Sequence, residues 1–301
     1  MWPMQDGSGT WSAPTGSPVG TTGWFLADDG RWYRSKQPPA TGYWLAADGR
    51  WQPPDHASDH AAEPWRLSRW GLGDVWWGVL AYIVAGIVGA LAIWAVTGTD
   101  QTGDETSPYA LVAFVGMNAI AVFGVALYAT RRKGLRSLRH DFGLAGRWPD
   151  VLIGLGLGIA GVIVAAITGF AIDTALGAEE QTSNLPVDAL DDFGQFAAFF
   201  LAVAIITPIV EELFFRGLVY RSVRKRGRSV ARSIFATTII FVLPHLTAVD
   251  SWAASVSLFA SIAVLGVTFN LACVWTGNRL AAPIVAHLVV NGLAAVALYV
   301  G

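Results

Sequence analysis

The sequence predicts an all-α protein: a polytopic transmembrane helical bundle of about seven spans, preceded by a small segment of two short hairpin-like repeats. Three observations predict it. Only 14% of the 301 residues are charged while 53% are hydrophobic, against about 25% charged in a soluble domain. From Val75 onward the chain is a series of apolar runs near the length of about 20 residues that a helix needs to cross a bilayer. The charged residues between those runs alternate in sign.

The N-terminal element comes first. Residues 1–65 are polar and hold a repeat with a period of 19. Gly23-Trp24-Phe25-Leu26-Ala27-Asp28-Asp29-Gly30-Arg31-Trp32 aligns with Gly42-Tyr43-Trp44-Leu45-Ala46-Ala47-Asp48-Gly49-Arg50-Trp51, seven of ten positions being identical. Each copy sets Asp-Gly between aromatic-rich flanks, the pattern of a tight hairpin turn. Hairpins this short bury little core. They read either as a docking module for a cytoplasmic partner, with tryptophan anchors, or as a tethered pair with no specific partner. They resemble the short Asp-Gly-Arg-Trp repeats near the termini of some bacterial membrane proteins. The first residues, MWPMQDGSGTW, have neither a basic n-region nor an apolar h-region. The first span is therefore expected to act as its own insertion signal.

The spans follow over 66–301, at about 75–96, 109–129, 151–172, 194–215, 232–249, 254–275 and 281–300. Lipid offers the backbone no hydrogen bonds, so each is read as a helix. The fifth is interrupted by Pro244 and His245. Six basic residues lie between the second and third spans: Arg131, Arg132, Lys133, Arg136, Arg139 and Arg147. Seven lie between the fourth and fifth: Arg216, Arg221, Arg224, Lys225, Arg226, Arg228 and Arg232. Arg279 stands between the last two. The intervening loops carry no Lys or Arg, but hold Asp100, Asp104, Glu105, Glu179, Glu180, Asp188, Asp191, Asp192 and Asp250. By the positive-inside rule the N-terminus is cytoplasmic and the C-terminus lies outside.

Composition excludes other classes. A net charge of −2 without a basic face argues against nucleic acid. The single cysteine, Cys273, forms no disulfide framework and no cysteine metal site.

Within the spans stand four acidic or histidine side chains, Glu211, Glu212, His245 and His287; His56, His60 and His140 fall in polar segments. Ionisable groups at membrane depth are functional by default, because burying them is costly. Glu212 and Arg216 are four residues apart and pair along one helix face. Glu211 then points about 100° away, as a desolvated carboxylate suited to general-base work. His245 follows Pro244, which lacks a backbone donor, and is placed to hold a water or a metal. His287 and Asn291 share a face and both can donate hydrogen bonds to a developing oxyanion. The bland readings are a solvated glutamate cap and structural core histidines; the conjunction favours function.

In order, Glu211-Glu212…Arg216, Phe241…His245, Thr276-Gly277, Pro283-Ile284 and His287…Asn291 resemble the motifs of the CPBP family, the CAAX-protease and bacteriocin-processing, Abi-like intramembrane endopeptidases. The resemblance covers about residues 190–295. It implies hydrolysis of a peptide bond in a membrane-associated peptide or protein, within or beside the membrane; the N-terminal repeats point to a bacterial cytoplasmic membrane. Carried over, Glu211 is the general base on a water held with His245, His287 and Asn291 stabilise the oxyanion, and Glu212–Arg216 is a supporting ion pair. Glu211, His245 and His287 would also make a three-ligand zinc site with one open position; a metal-free glutamate mechanism fits the same residues. Two positions depart from the family pattern. Val242 stands where glycine is favoured, and Asn270 replaces the second glycine of a Gly-x-x-x-Gly begun by Gly266, where small residues let helices approach. Asn270 is expected to bond across a helix interface or to face the site.

A rise of 1.5 Å per residue places Glu211 and His287 about 10 Å from the cytoplasmic boundary, and His245 about 16–20 Å. A fifth helix extended through the Arg-rich segment reconciles these depths. Two other functions compete: a non-catalytic membrane scaffold or immunity protein of the same fold, and a small proton-coupled transporter. The latter predicts internal symmetry between halves, which the sequence lacks.

Overall fold

The computed structural model describes residues 23–26, 32–35, 44–45, 51–52, 63–97, 108–177, 192–245 and 251–300. The chain divides into two compact units, Met1–Arg69 and Trp70–Gly301.

In the first unit, β1 (Gly23–Leu26) pairs antiparallel with β2 (Trp32–Ser35), in the register Leu26 opposite Trp32. Likewise β3 (Trp44–Leu45) pairs with β4 (Trp51–Gln52). The flanks of both repeats are thus hairpin arms. The Asp-Gly turns and the tryptophan side chains proposed as anchors lie outside the described residues, as do the acidic residues of the outer loops other than Asp192. A 3₁₀ turn, Pro64–Leu67, follows.

The second unit is helical throughout its described residues: α1 (Leu72–Thr97), α2 (Pro108–Lys133), the short α3 (Leu138–Phe142), α4 (Trp148–Leu176), α5 (Phe193–Lys225), α6 (Val230–Val242, closed by the 3₁₀ turn Leu243–His245), α7 (Trp252–Trp275) and α8 (Ala281–Val300). Polar residues set the boundaries. Ser137, Asp192, Ser229 and Ser251 each accept a backbone N–H of the first turn of the helix that follows. Gly143, Gly177 and Gly227 end α3, α4 and α5 in the left-handed region.

Among the described residues six helices are long and apolar enough to cross a membrane. The chain is a multi-pass integral membrane protein. Large apolar side chains such as Ile87, Leu91, Ile120, Ile163, Phe170 and Phe235 stay exposed on the bundle, where lipid rather than water is their solvent. The expected fifth span, 232–249, is described as far as His245: with its 3₁₀ turn α6 covers Val230–His245, about 25 Å at helical rise, and residues 246–249 lie outside the described residues. The predicted extension through the arginines belongs to the fourth span instead. There α5 runs on to Lys225, and Gly227 and Ser229 separate it from α6.

The basic segments gather at one end of the bundle. The Arg221 guanidinium donates to Asp141 O (2.8 Å) and to Asn278 O (2.5 Å). Leu280 N donates to Gly143 O (2.8 Å). Arg279 makes a two-pronged contact with Asp150 (2.7 and 2.6 Å), and those hydrogen bonds hold its guanidinium above the ordinary arginine range. Asp141, fully buried, accepts from Trp70 Nε1 (2.8 Å), Leu135 N (2.8 Å) and Thr130 Oγ1. Since α5 ends here and α7 returns here, α6 carries the chain to the other end.

Small residues set how close the helices come. On α4, a Cβ at Gly154 would lie 2.6 Å from Ala282 O, and one at Gly158 2.8 Å from Ala286 O, so α4 and α8 touch backbone to backbone. Further along α4, Ser261 and Ser257 of α7 donate to Ala165 O and Gly169 O (both 3.2 Å). In this way α4 backs the segment of α8 that carries His287.

Candidate active site

The site is built on a helix of mixed pitch. Within α5 the α-helical turn Thr207–Glu212 lies between two wider π-helical stretches, Phe200–Ile206 and Leu213–Tyr220. Such bulges are rare and concentrate at functional sites. Pro208 opens the central turn without a backbone N–H to give. This turn presents Glu211 and Glu212 to different surroundings, as the 100° between neighbours requires.

Glu212 is fully buried. Its Oε1 accepts from Arg216 Nη1 (2.8 Å) and lies 2.9 Å from His287 Nδ1. An ionised carboxylate only accepts, so Nδ1 carries the hydrogen and Nε2 faces away, toward Glu211. Arg216, also fully buried, donates a second bond to Gly266 O (3.0 Å). Its guanidinium lies 4.7 Å from the ring centre of Phe241 and 5.3 Å from that of Phe269, where ring quadrupoles offset part of the desolvation cost. His287 stacks on Phe269, ring centres 4.5 Å apart.

Glu211 is the more open of the pair, its side chain 22% exposed. Its Oε2 is buried without a hydrogen-bond partner and stands 3.8 Å from His287 Nε2. One carboxylate therefore locks the imidazole through Nδ1, while the other stands 3.8 Å from its Nε2.

His245 sits apart from that pair. Its Nδ1 lies 2.9 Å from Phe241 O, and its ring centre 5.0 Å from that of Phe241, whose other neighbours include His287 at 6.0 Å. Among the described residues no three His, Cys, Asp or Glu side chains are grouped to hold a metal ion. Glu211, His245 and His287 as placed do not fit a three-ligand zinc site. Asn291, one turn beyond His287 on α8, donates its Nδ2–H to Val203 O (2.8 Å).

Several contributors escaped the sequence reading: Val203 O, Gly266 O, Pro208 and the phenylalanines around Arg216. Backbone carbonyls leave no mark on side-chain patterns, though Pro208, three residues before Glu211, was a signal of a broken ladder. Of the two departures, Asn270 is the informative one. Fully buried, it donates to Gly266 O (2.8 Å) and Thr238 Oγ1 (3.3 Å), joining α7 to α6, the first of its two expected roles.

Residues 193–293 match the family model of the type II CAAX prenyl endopeptidases, Rce1-like. Over 102 residues the chain is 36% identical to the membrane-embedded CAAX protease MroQ of Staphylococcus aureus (strain USA300). That match spans 31% of this chain and 36% of the relative's length. No solved structure matches the chain. The resemblance read from the motifs is borne out over this third of the chain, which carries all the residues described at the site.

Proposed function

We propose that this chain, with its type II CAAX prenyl endopeptidase Rce1-like region, is an intramembrane endopeptidase that hydrolyses a peptide bond of a membrane-associated peptide or protein. The observation that carries this reading is that Glu211 Oε2 stands 3.8 Å from Nε2 of His287, a histidine whose other nitrogen is fixed by Glu212.

In this mechanism Glu211 takes a proton from a water lying between it and the scissile carbonyl. The water oxygen bonds to the carbonyl carbon, and the carbonyl oxygen becomes an oxyanion. Protonated His287 donates Nε2–H to that oxyanion, with Nδ1–H held by Glu212, and Asn291 supplies a second N–H. When the tetrahedral intermediate collapses, the C–N bond breaks and Glu211 returns its proton to the leaving amine. Buried Arg216 balances Glu212, so Glu211 works beside one neutralised carboxylate rather than a second free anion. No step is routed through a metal. The substrate is read as a small membrane-anchored chain cleaved near the cytoplasmic face of a bacterial membrane.

The test is cleavage of a library of membrane-anchored peptides by the protein in lipid vesicles, in water enriched in ¹⁸O, with products read by mass spectrometry. Hydrolysis puts one ¹⁸O into each new carboxyl terminus and is lost in His287→Ala. Equal product from wild type, His287→Ala and empty vesicles would refute the assignment and favour a non-catalytic scaffold of this fold.

A further inference from the structure

Asn291 is fixed by a backbone defect on the facing helix. In the first π-helical stretch of α5 the hydrogen bonds run five residues back: Thr207 N donates to Ala202 O. The next bond in that ladder would join residue 208 to Val203 O. Residue 208 is proline and has no N–H. Thr207, the α-helical partner of Val203, has already turned to Ala202. Val203 O is thus left without a helical donor in a setting where an unsatisfied carbonyl is costly. Asn291 Nδ2 fills the vacancy at 2.8 Å.

We propose that Pro208 is a positioning residue for the reaction: by stripping Val203 O of its helical partner it makes the carbonyl that captures and orients the Asn291 amide. An amide nitrogen carries two hydrogens. Val203 O takes one, which fixes the side-chain rotamer and leaves the second for the oxyanion one turn from His287. This rests on the protease reading for its kinetic consequence, but not for its structural one.

The experiment is a double-mutant cycle of wild type, Pro208→Ala, Asn291→Ala and the double variant, with kcat, KM and melting midpoint measured in lipid nanodiscs. Asn291→Asp, similar in shape but without the amide hydrogens, repeats the single variant without opening a cavity. Loss of one oxyanion donor lowers kcat about 100-fold or more, and Asn291→Ala is expected to do so with little change in KM. In Pro208→Ala a new backbone N–H competes for Val203 O, and kcat is expected to fall about 5–10-fold at unchanged KM. The double variant is expected to be no slower than Asn291→Ala. In melting, Asn291→Ala bares the carbonyl and lowers the midpoint by on the order of 5 °C. Adding Pro208→Ala restores most of that loss. Multiplicative kinetic losses with additive melting shifts would overturn the proposal. Melting rescue in a protein that cleaves nothing would place the failure in the protease reading and leave the carbonyl capture standing.

Discussion

The two adjacent glutamates, alike in sequence, should fail in opposite ways. Glu212→Gln keeps the shape of a fully buried side chain but removes the charge that faces Arg216 at 2.8 Å and His287 at 2.9 Å. Arg216 is then a buried cation with no counter-charge, and leaving one partner of a buried pair alone costs about 3–5 kcal/mol. For a unit of this size each kcal/mol moves the melting midpoint by about 2–4 °C, so a fall of roughly 6–20 °C is expected. Glu211→Gln changes a carboxylate whose Oε2 has no hydrogen-bond partner, and its midpoint should stay within about 2 °C of wild type. The protein carries its own reporter. Cys273 is the sole cysteine and is buried, so a thiol-reactive dye gains signal only as the bundle opens. Equal midpoints for the two variants, or a larger fall for Glu211→Gln, would refute the division of labour between locking and catalysing carboxylates.

Other consequences follow from the same contacts. Gly158→Ala drives a Cβ to 2.8 Å from Ala286 O and should cost about 1–3 kcal/mol in the dye assay. Gly156→Ala, on the exposed face with nothing within 4 Å, should leave the midpoint unchanged or slightly raised. Asp150→Asn weakens both the first turn of α4 and the Arg279 contact. A loss of about 1–2 kcal/mol is expected, shrinking in high salt because the Arg279 side chain is partly exposed. Cleavage should survive a zinc chelator, because Glu211, His245 and His287 do not converge; loss of activity restored by added zinc would contradict the placement of His245.

What the sequence made legible was set by what side chains advertise. Apolar runs and alternating loop charge revealed the membrane helices, and the spacing of Glu212 and Arg216 revealed their pair. Hydropathy runs past Pro244, whereas the α-helical ladder of α6 gives way to a 3₁₀ turn at Leu243. The helix passing through the arginines was α5 rather than α6, a choice decided by Gly227 and Ser229. The π-helical stretches and the link from Asn291 to Val203 O were illegible because backbone register leaves no pattern of its own. The stripe of Gly154, Gly158, Gly161 and Gly169 on α4 was visible in the letters. Its meaning depended on which helices lay opposite, which only the fold supplies.

The most direct test of the central claim is the turnover of Glu211→Gln against wild type, on one cleaved peptide in the same vesicles, with melting shown to match. A general base contributes about 10²–10⁴-fold, so the account predicts a loss of at least 100-fold in kcat with substrate binding retained. Turnover within a few-fold of wild type in a folded Glu211→Gln protein would contradict it.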